Sequence, residues 1–356
     1  MEKTKKIAFF LGDLGLGGVE RVLLNYANEL AKRAYSVNFV VAKGGGEIEG
    51  DLSQSVKLVK FEEPRVRRSW GRLWSYVHYE KPDYMITGGD AANIMVIVAA
   101  LFTKTKVIIS QHNYNDIEAS NQGVWSRYLH RIMRMLYPKA YKIVAVSEGI
   151  SDYLVHDVGI KRDRVDVLYN PIDITGLGKR GDEKMEMPLP EKYLLFVGRI
   201  SPVKNLPFLL KAYDQSRIEE ISLVVVGDGS ELNNLKALAS TLKKKEQIIF
   251  TGLSHNPIPY IKNCTALVLC SFSEAMPTVL LEAMAFDKPI VATPTPGAKE
   301  ILAYRKGAFI SKSFDDVDEF ASLLEESVKC TDPGLKDYAQ KYDMETIMNQ
   351  LCGYLV

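Results

Sequence analysis

The sequence lacks the features that mark secreted and membrane-spanning proteins. No uninterrupted apolar run approaches the roughly 20 residues of a spanning helix, and the best candidate, residues 94–102, is too short. The charged residues 1–6 lead directly into an apolar strand, so no signal peptide is visible. None of the four cysteines belongs to a Cys-x-x-Cys pair, which fits a reducing compartment.

The chain also has little net charge. Its 45 Lys and Arg against 44 Asp and Glu give +1, so no overall field favours nucleic acid. Residues 60–142 are an exception, with 13 basic and 7 acidic residues, a local charge of +6. Within them, residues 125–142 contain no acid. This part of the chain is the predicted contact with an anionic partner.

Three arginines of the acid-free segment fall on one face of a predicted helix. Arg127, Arg131 and Arg134 are spaced i, i+4 and i+7. The opposing apolar residues are Leu129, Ile132, Met133 and Leu136. Such a helix can lie on anionic lipid headgroups or bind a polyanionic acceptor. The alternative is an ordinary amphipathic helix with a solvated basic face.

Length and composition predict a globular α/β protein of two domains. The 356 residues suffice for two separate cores, and 47% of them are hydrophobic. Apolar runs of strand length alternate with helical patterns, which predicts two doubly wound parallel sheets. We expect a first domain at residues 1–174, a linker rich in Gly, Pro and charge at 175–190, and a second domain at 191–336.

The stretch 266–300 predicts one strand–loop–helix–strand unit of a parallel sheet. Ligands bind beyond the carboxyl ends of such strands, so we expect the loop Ser271–Thr278 to lie at a site. The helix begins near Pro277, where a missing N–H costs nothing. Its first backbone N–H groups, at Thr278 and Val279, would suit a phosphate.

Two carboxylates mark this unit, Glu274 in the loop and Glu282 on the helix. Glu282 interrupts an apolar helical sequence, so it would be partly buried and would need donors, which sugar or ribose hydroxyls supply. The alternative is an acid of the first helical turn, favoured by the helix dipole.

Two cations follow the predicted strand 192–197. Arg199 and Lys204 lie five positions apart on a turn that Gly198 begins, and Gly227 ends the next strand. Arginine binds a pyrophosphate bidentately and lysine supplies a point charge, so the turn suits a diphosphate. Two solvent-exposed cations are the alternative.

Two further candidates belong to the first domain. A glycine-rich loop ending in Gly17 and Gly18 follows the first strand, where it can cradle phosphate or form a tight turn. It lacks the GxGxxG spacing, so no nicotinamide site is predicted. The strand 107–110 delivers His112 to the carboxyl edge of the sheet, where it contributes to a site or bonds to the backbone.

The sequence SFSEAMPTVLLEAMAFDKPIVAT closely resembles the signature of the retaining GT-B glycosyltransferases of family 4. That signature is roughly E-G-F-P, then L-E-A-M-A on a helix, then G-x-P-V-V-A-T on a strand. Glu274 and Glu282 keep its spacing, with seven residues between them. GGVER at 17–21 and the turn after residue 197 are also similar, so the resemblance spans the chain. Departures such as Ala275-Met276 in place of Gly-Phe bear on the donor sugar.

The resemblance implies a GT-B fold, with two doubly wound Rossmann-like domains facing each other across a cleft. A terminal helix at about 337–356 would pack back on the first domain. The implied reaction is retaining transfer of a hexose or N-acetylhexosamine from a UDP-sugar to a glycan acceptor, lipid-linked or a precursor of capsule, lipopolysaccharide or other cell-surface polysaccharide. The implied alternatives are another GT-B activity, such as a nucleotide-sugar epimerase, and a non-catalytic sugar-nucleotide-binding protein.

The resemblance also assigns roles to the candidate residues. Arg199 and Lys204, with the N–H groups of Thr278 and Val279, would stabilise the departing diphosphate. Glu282 would bind the ribose, and Glu274 and His112 would contact the transferred sugar. The turns beside the donor would contain Gly17, Gly18, Gly198 and Gly227. Asp316-Val317-Asp318 spells a possible metal motif, but it opens a predicted helix, where the dipole favours acids. We therefore expect no metal and no cofactor.

From the basic segment and the missing signal peptide we expect a cytoplasmic protein held peripherally on the inner face of the cell membrane.

Overall fold

The computed structural model describes residues 4–15, 17–114 and 123–356, without the side chains of 123–127. The chain divides into two compact units. The first comprises Met1–Asn170 and Ile347–Val356, and the second comprises Pro171–Thr346. In the part of the chain that is described, no helix is long and apolar enough to cross a bilayer.

The first unit is built on a parallel sheet of seven strands in the order β3-β2-β1-β4-β5-β6-β7. The strands are β1 (Lys6–Leu11), β2 (Ser36–Val41), β3 (Lys57–Lys60), β4 (Tyr84–Gly88), β5 (Lys106–Gln111), β6 (Lys142–Ala145) and β7 (Val165–Val167). Its helices include α1 (Gly18–Lys32), α2 (Trp70–Glu80), α3 (Asp90–Ala100), α4 (Gly123–Leu136) and α5 (Glu148–Tyr153). Helices on both faces explain why the central strands are near-continuous apolar runs, such as KIAFFL in β1.

The second unit repeats this plan with six parallel strands in the order β10-β9-β8-β11-β12-β13. They are β8 (Tyr193–Val197), β9 (Ser222–Val226), β10 (Ile248–Gly252), β11 (Ala266–Leu269), β12 (Ile290–Ala292) and β13 (Ala308–Ile310). The helices are α6 (Ile174–Gly181), α7 (Leu206–Gln215), α8 (Leu232–Ser240), α9 (Ile258–Asn263), α10 (Thr278–Ala285), α11 (Pro296–Leu302), α12 (Val317–Ser327) and α13 (Lys336–Ala339). Both sheets have the Rossmann strand order, which confirms the predicted pair of doubly wound domains.

The segment 175–190, predicted as a linker, is helical at its start. It begins inside α6, whose N-terminus is capped by Asp173, the carboxylate of which accepts a hydrogen bond from Gly176 N at 2.8 Å. Leu177 is buried, and α6 packs on α9 and α10. Gly181 faces Lys262 and Phe286 at a distance that leaves a Cβ too little room. Packing on the second unit therefore holds the first half of this segment as a helix.

The predicted terminal helix is also divided differently. After α13 the backbone is extended at Asp343, because Ile172 donates to Tyr342 O at 2.9 Å and accepts from Met344 N at 2.8 Å. A separate helix, α14 (Met344–Tyr354), then begins. From Ile347 onward the chain belongs to the first unit, where Tyr84 Oη donates to Val356 O at 2.5 Å.

Candidate active site

The strand order of the second unit reverses between β8 and β11, and the loops after these two strands contain its predicted site residues. Arg199 and Lys204 follow β8, and Glu274 follows β11. Gly198 and Gly227 have positive φ angles of 152° and 143°, and a Cβ on Gly227 would collide with Gly198 O. Glycine is therefore required where the β8 and β9 loops approach each other.

Lys204 and Glu274 form an ion pair. Lys204 Nζ lies 2.5 Å from Glu274 Oε1, and the same oxygen accepts a hydrogen bond from Ser271 Oγ at 2.6 Å. The Lys204 side chain is 23% exposed and the Glu274 side chain 13%. The cation predicted for a diphosphate and the carboxylate predicted for a sugar are thus in direct contact. Each neutralises the other, and removal of either leaves a largely buried charge without its partner.

Two side chains and one backbone N–H donate hydrogen bonds to the backbone carbonyls around this pair. Cys270 Sγ donates to Lys204 O at 3.0 Å, and Thr293 Oγ1 donates to Ser271 O at 2.6 Å. Gly297 N donates to Glu274 O at 3.0 Å, and a Cβ on Gly297 would lie only 2.6 Å from the carbonyl oxygen of Ala275. Burial raises the pKa of the Cys270 thiol, so it acts here as a neutral donor.

Helix α10 begins beside the Glu274 loop. Pro277 occupies its N-cap position, and no described side chain caps the helix. Thr278 and Val279 are half-buried in its first turn, where backbone N–H groups have no intrahelical acceptor. Glu282 is half-buried in the next turn among buried apolar neighbours, as its position in the sequence predicted. An N-terminus of this kind favours an anion.

In the first unit, the helix that follows β1, on the other side of the strand-order reversal, begins beside a carboxylate. Gly17 is the N-cap of α1, and Glu20 folds back so closely that a Cβ on Gly17 would collide with Glu20 Oε2. Glu20 stands at the third helical position, as in a capping box. Gly17 and Gly18 therefore lie beside a negative charge that opposes phosphate binding at this end of α1.

His112 follows β5 directly and is buried, with 6% of its surface exposed. Its Cδ2 lies 3.4 Å from the position that a Cβ on Gly88 would take. No described residue forms a hydrogen bond with His112 Nε2. Burial lowers the pKa of His112 to about 4, so its imidazole is neutral near pH 7. A buried, neutral ring nitrogen of this kind suits a ligand hydroxyl.

Helix α4 exposes apolar residues beside its arginines. Arg131 and Arg134 are exposed, whereas the side chain of Arg127 lies outside the described part of the structure. The predicted apolar face is correct for Met133 and Leu136, which are buried. It is wrong for Ile132, which is exposed together with Tyr128 and Met135. The outward face of α4 is therefore both basic and apolar.

The D-x-D sequence caps a helix. Asp316 Oδ1 accepts from Glu319 N at 2.9 Å at the start of α12, and Asp318 accepts from Gln215 Nε2. Within the described ranges, no group of three or more His, Cys, Asp or Glu residues is placed to hold a metal. Metal independence remains a prediction.

Comparisons with known proteins identify the family. Residues 180–342 match the model described as Glycosyl transferases group 1, and residues 16–175 match Glycosyltransferase Family 4. A Campylobacter jejuni α-1,4-N-acetyl-D-galactosaminyltransferase, named for a GalNAc-GalNAc-diNAcBac-PP-undecaprenol substrate, is 30% identical over 311 residues. The alignment covers 83% of this chain and 82% of that relative. The chain belongs to glycosyltransferase family 4.

Two further comparisons describe what this glycosyltransferase is similar to. The Campylobacter jejuni N-acetylgalactosamine-N,N'-diacetylbacillosaminyl-diphospho-undecaprenol 4-α-N-acetylgalactosaminyltransferase is 26% identical, over 90% of this chain and 86% of the relative. The crystal structure of Anabaena HepE with UDP has a TM-score of 0.79 at 19% identity and covers 98% of this chain and 99% of its own. The likeness in structure supports the GT-B fold.

The sequence predicted the candidate residues of this glycosyltransferase but missed the residues that bond to them. Ser271 precedes Glu274 by three positions in the same loop, a spacing that suits a local hydroxyl–carboxylate bond. Cys270 and Gly297 gave no comparable signal, because their partners lie in other parts of the chain. The inward fold of Glu20 was detectable as a glutamate three residues after the N-cap.

Proposed function

We propose that the chain is a retaining glycosyltransferase that moves a hexose or N-acetylhexosamine from a UDP-sugar to a lipid-linked glycan. The observation that carries this proposal is the Lys204–Glu274 pair beside the N-terminus of α10. A UDP-sugar brings a diphosphate and sugar hydroxyls on adjacent groups, and a cation next to a carboxylate binds both. The diphospho-undecaprenol names of the Campylobacter relatives and the UDP-glucose complex of HepE support the acceptor and donor classes.

In this proposal the bond between the anomeric carbon and the diphosphate breaks, and negative charge develops on the departing UDP. Arg199, Lys204 and the α10 N-terminus stabilise that charge. Lys204 leaves Glu274 for the diphosphate, which frees Glu274 to accept hydrogen bonds from sugar hydroxyls. Glu282 binds the ribose, and His112 meets the sugar as a neutral imidazole. The acceptor hydroxyl attacks on the face from which UDP leaves and transfers its proton to the diphosphate.

Product analysis with a panel of UDP-sugars and diphosphate-linked lipid acceptors tests the proposal. UDP release should require the acceptor, and NMR of the product should show the donor's anomeric configuration. Release without acceptor, with an epimerised sugar, would establish the epimerase alternative. Binding without turnover would establish a non-catalytic protein. Activity should survive EDTA; loss restored by manganese would overturn metal independence.

We further propose that the first unit rests on an anionic membrane surface. The connections β3–α2–β4, β4–α3–β5 and β5–α4–β6 run in one direction across the sheet, and right-handed crossovers place their helices on one face. Helix α3 contacts both α2 and α4. Trp70 and Trp74 of α2 are exposed, the latter at 45%, as is Met135 of α4 at 63%. Exposed tryptophans and arginines on one helix layer suit the headgroup region of a bilayer.

Vesicle co-sedimentation tests this docking. The wild type should bind phosphatidylglycerol vesicles, ignore neutral ones and dissociate at high salt. Combined Arg131→Gln and Arg134→Gln should weaken binding by about 1 kcal/mol per arginine. Lys236→Gln with Lys243→Gln, which removes the same charge from the second unit, is the control. The opposing result is that the wild type fails to bind anionic vesicles at low salt while the arginine variant raises KM for a diphosphate-linked acceptor. That result would show that the arginines of α4 bind the acceptor instead.

A further inference from the structure

A buried network of polar side chains surrounds Gln111, the residue that precedes His112 in the chain. Asn93 of α3 donates from Nδ2 to Ser110 O at 3.1 Å and to Tyr137 Oη at 3.3 Å. Tyr137 Oη in turn donates to Gln111 Oε1 at 3.0 Å. Asn93 and Tyr137 are fully buried, and Gln111 is 1% exposed. Three separate elements of the first unit thus meet at the last residue of β5.

Gln111 is the junction of this network. Its Nε2 donates to Asp90 Oδ1 and to Asn113 O, both at 2.9 Å, while its Oε1 accepts from Tyr137. These bonds fix which end of the amide donates and which accepts. Burial raises the pKa of Tyr137 well above its usual range, so the hydroxyl keeps its proton and remains the donor. Gln111 therefore has one orientation, with His112 the next residue.

A stable core does not require such a network. Burying polar groups costs desolvation, and apolar side chains of similar shape often stabilise a core equally well. What the network's hydrogen bonds provide is a restricted conformation for the backbone they touch; one acceptor of the network, Asn93 Oδ1, has no partner among the described residues. Here the network touches the residues on either side of His112: Gln111 is one of its members, and the Asn113 carbonyl accepts one of its bonds.

We propose that Gln111 and Tyr137 are positioning residues, which hold the backbone around His112 so that Nε2 meets the transferred sugar. They do not touch the donor themselves. Asp90 and Asn93 of α3 bond to Gln111, to Tyr137 and to the Ser110 carbonyl, which links this helix to the end of β5. This proposal rests on the proposed function only in the role given to His112.

Kinetics of paired tyrosine variants provide the first test. Tyr137→Phe deletes the hydroxyl that orients Gln111, and we expect kcat/KM to fall about tenfold, the effect of one misaligned contact. Tyr76→Phe is the control, because Tyr76 is a buried tyrosine of the same unit whose hydroxyl accepts from Asn38 Nδ2 at 2.7 Å. Equal losses in both variants would reduce the network to a structural role.

A double-mutant cycle and an NMR readout separate this proposal from the proposed function. In a His112→Ala background, Tyr137→Phe should have no further effect on kcat/KM; a full additional loss would overturn the proposal. In ¹⁵N-histidine-labelled protein, Tyr137→Phe and Gln111→Glu should shift the His112 ring signals, and Tyr76→Phe should not. Unmoved signals in both network variants would also overturn it. If His112→Ala is fully active while the signals do shift, the positioning stands and only the role of His112 in transfer fails.

Discussion

The two units have the same strand order but present different chemistry at the helix N-termini beside their strand-order reversals. In the first unit, Glu20 folds back over Gly17 at the start of α1. In the second, no described side chain caps α10, and Lys204 forms an ion pair with Glu274 in the loop that precedes this helix. The fold supplies partial positive charge at both termini. At α1 a carboxylate already lies beside that charge, whereas no described side chain caps α10.

This difference favours the second unit for the proposed diphosphate site, with Glu274 of that unit and His112 of the first proposed to contact the sugar. The two units also treat their site groups differently. His112 is buried and neutral, whereas Lys204 and Glu274 are charged, paired and partly exposed. In the proposed reaction, the first unit thus presents a neutral contact, and the second presents a pair that separates when the donor binds.

Loss of the second unit's cations should have the largest effect. Arg199→Ala and Lys204→Ala should each lower kcat by about 10²-fold or more, as the loss of one transition-state charge contact does. Lys211→Ala, which removes an exposed lysine of α7, is the control. Near-normal steady-state rates in both site variants would remove them from the site and break the comparison.

Acid should destabilise the first unit through His112. Its folded pKa of about 4 lies below the unfolded value of 6.5, so the unfolded state binds more protons between these values. The stability present above pH 6.5 is lost as the pH falls toward 4, and we expect a loss of about 2 kcal/mol between pH 8 and pH 5. Urea titrations at both pH values should show a smaller loss in His112→Asn. The exposed His255→Asn is the control; equal losses in all three proteins would contradict the burial of His112.

The two glutamates of the second unit should divide the donor between them. Glu282→Ala should weaken both UDP and UDP-sugar by about tenfold, since it loses a hydrogen bond from the ribose. Glu274→Ala should spare UDP and weaken only the sugar-dependent part. Calorimetry with UDP and UDP-sugar distinguishes them. If Glu274→Ala loses as much UDP affinity as Glu282→Ala, the division of roles is wrong.

The first unit's helix terminus gives the smallest expected effect. Glu20→Ala should lower stability by about 1 kcal/mol, as loss of a capping contact does. It should leave UDP affinity unchanged, because the proposed diphosphate site lies on the second unit. A tenfold change in UDP affinity, with stability unaltered, would place the diphosphate at α1.

The sequence predicted the elements, and placed the candidate residues at strand ends, because these features depend on local pattern. Strand runs, Pro277 and the spacing of Arg199 and Lys204 are visible within a few residues. Contacts between distant positions were not visible: Lys204 bonds to Glu274 70 positions away, and Asn93 to Tyr137 44 positions away. The exposure of Ile132 and the helix in the predicted linker were missed for the same reason, since neighbouring elements decide which face is covered.

Titration of UDP into the wild type and Lys204→Met by calorimetry tests the central claim most directly. Methionine keeps most of the side chain's volume and removes its charge, so the site loses its cation and little else. The account predicts that UDP affinity falls at least about tenfold, because the diphosphate loses the cation released from Glu274. Unchanged UDP affinity in Lys204→Met, with the variant folded, would contradict a diphosphate site on the second unit.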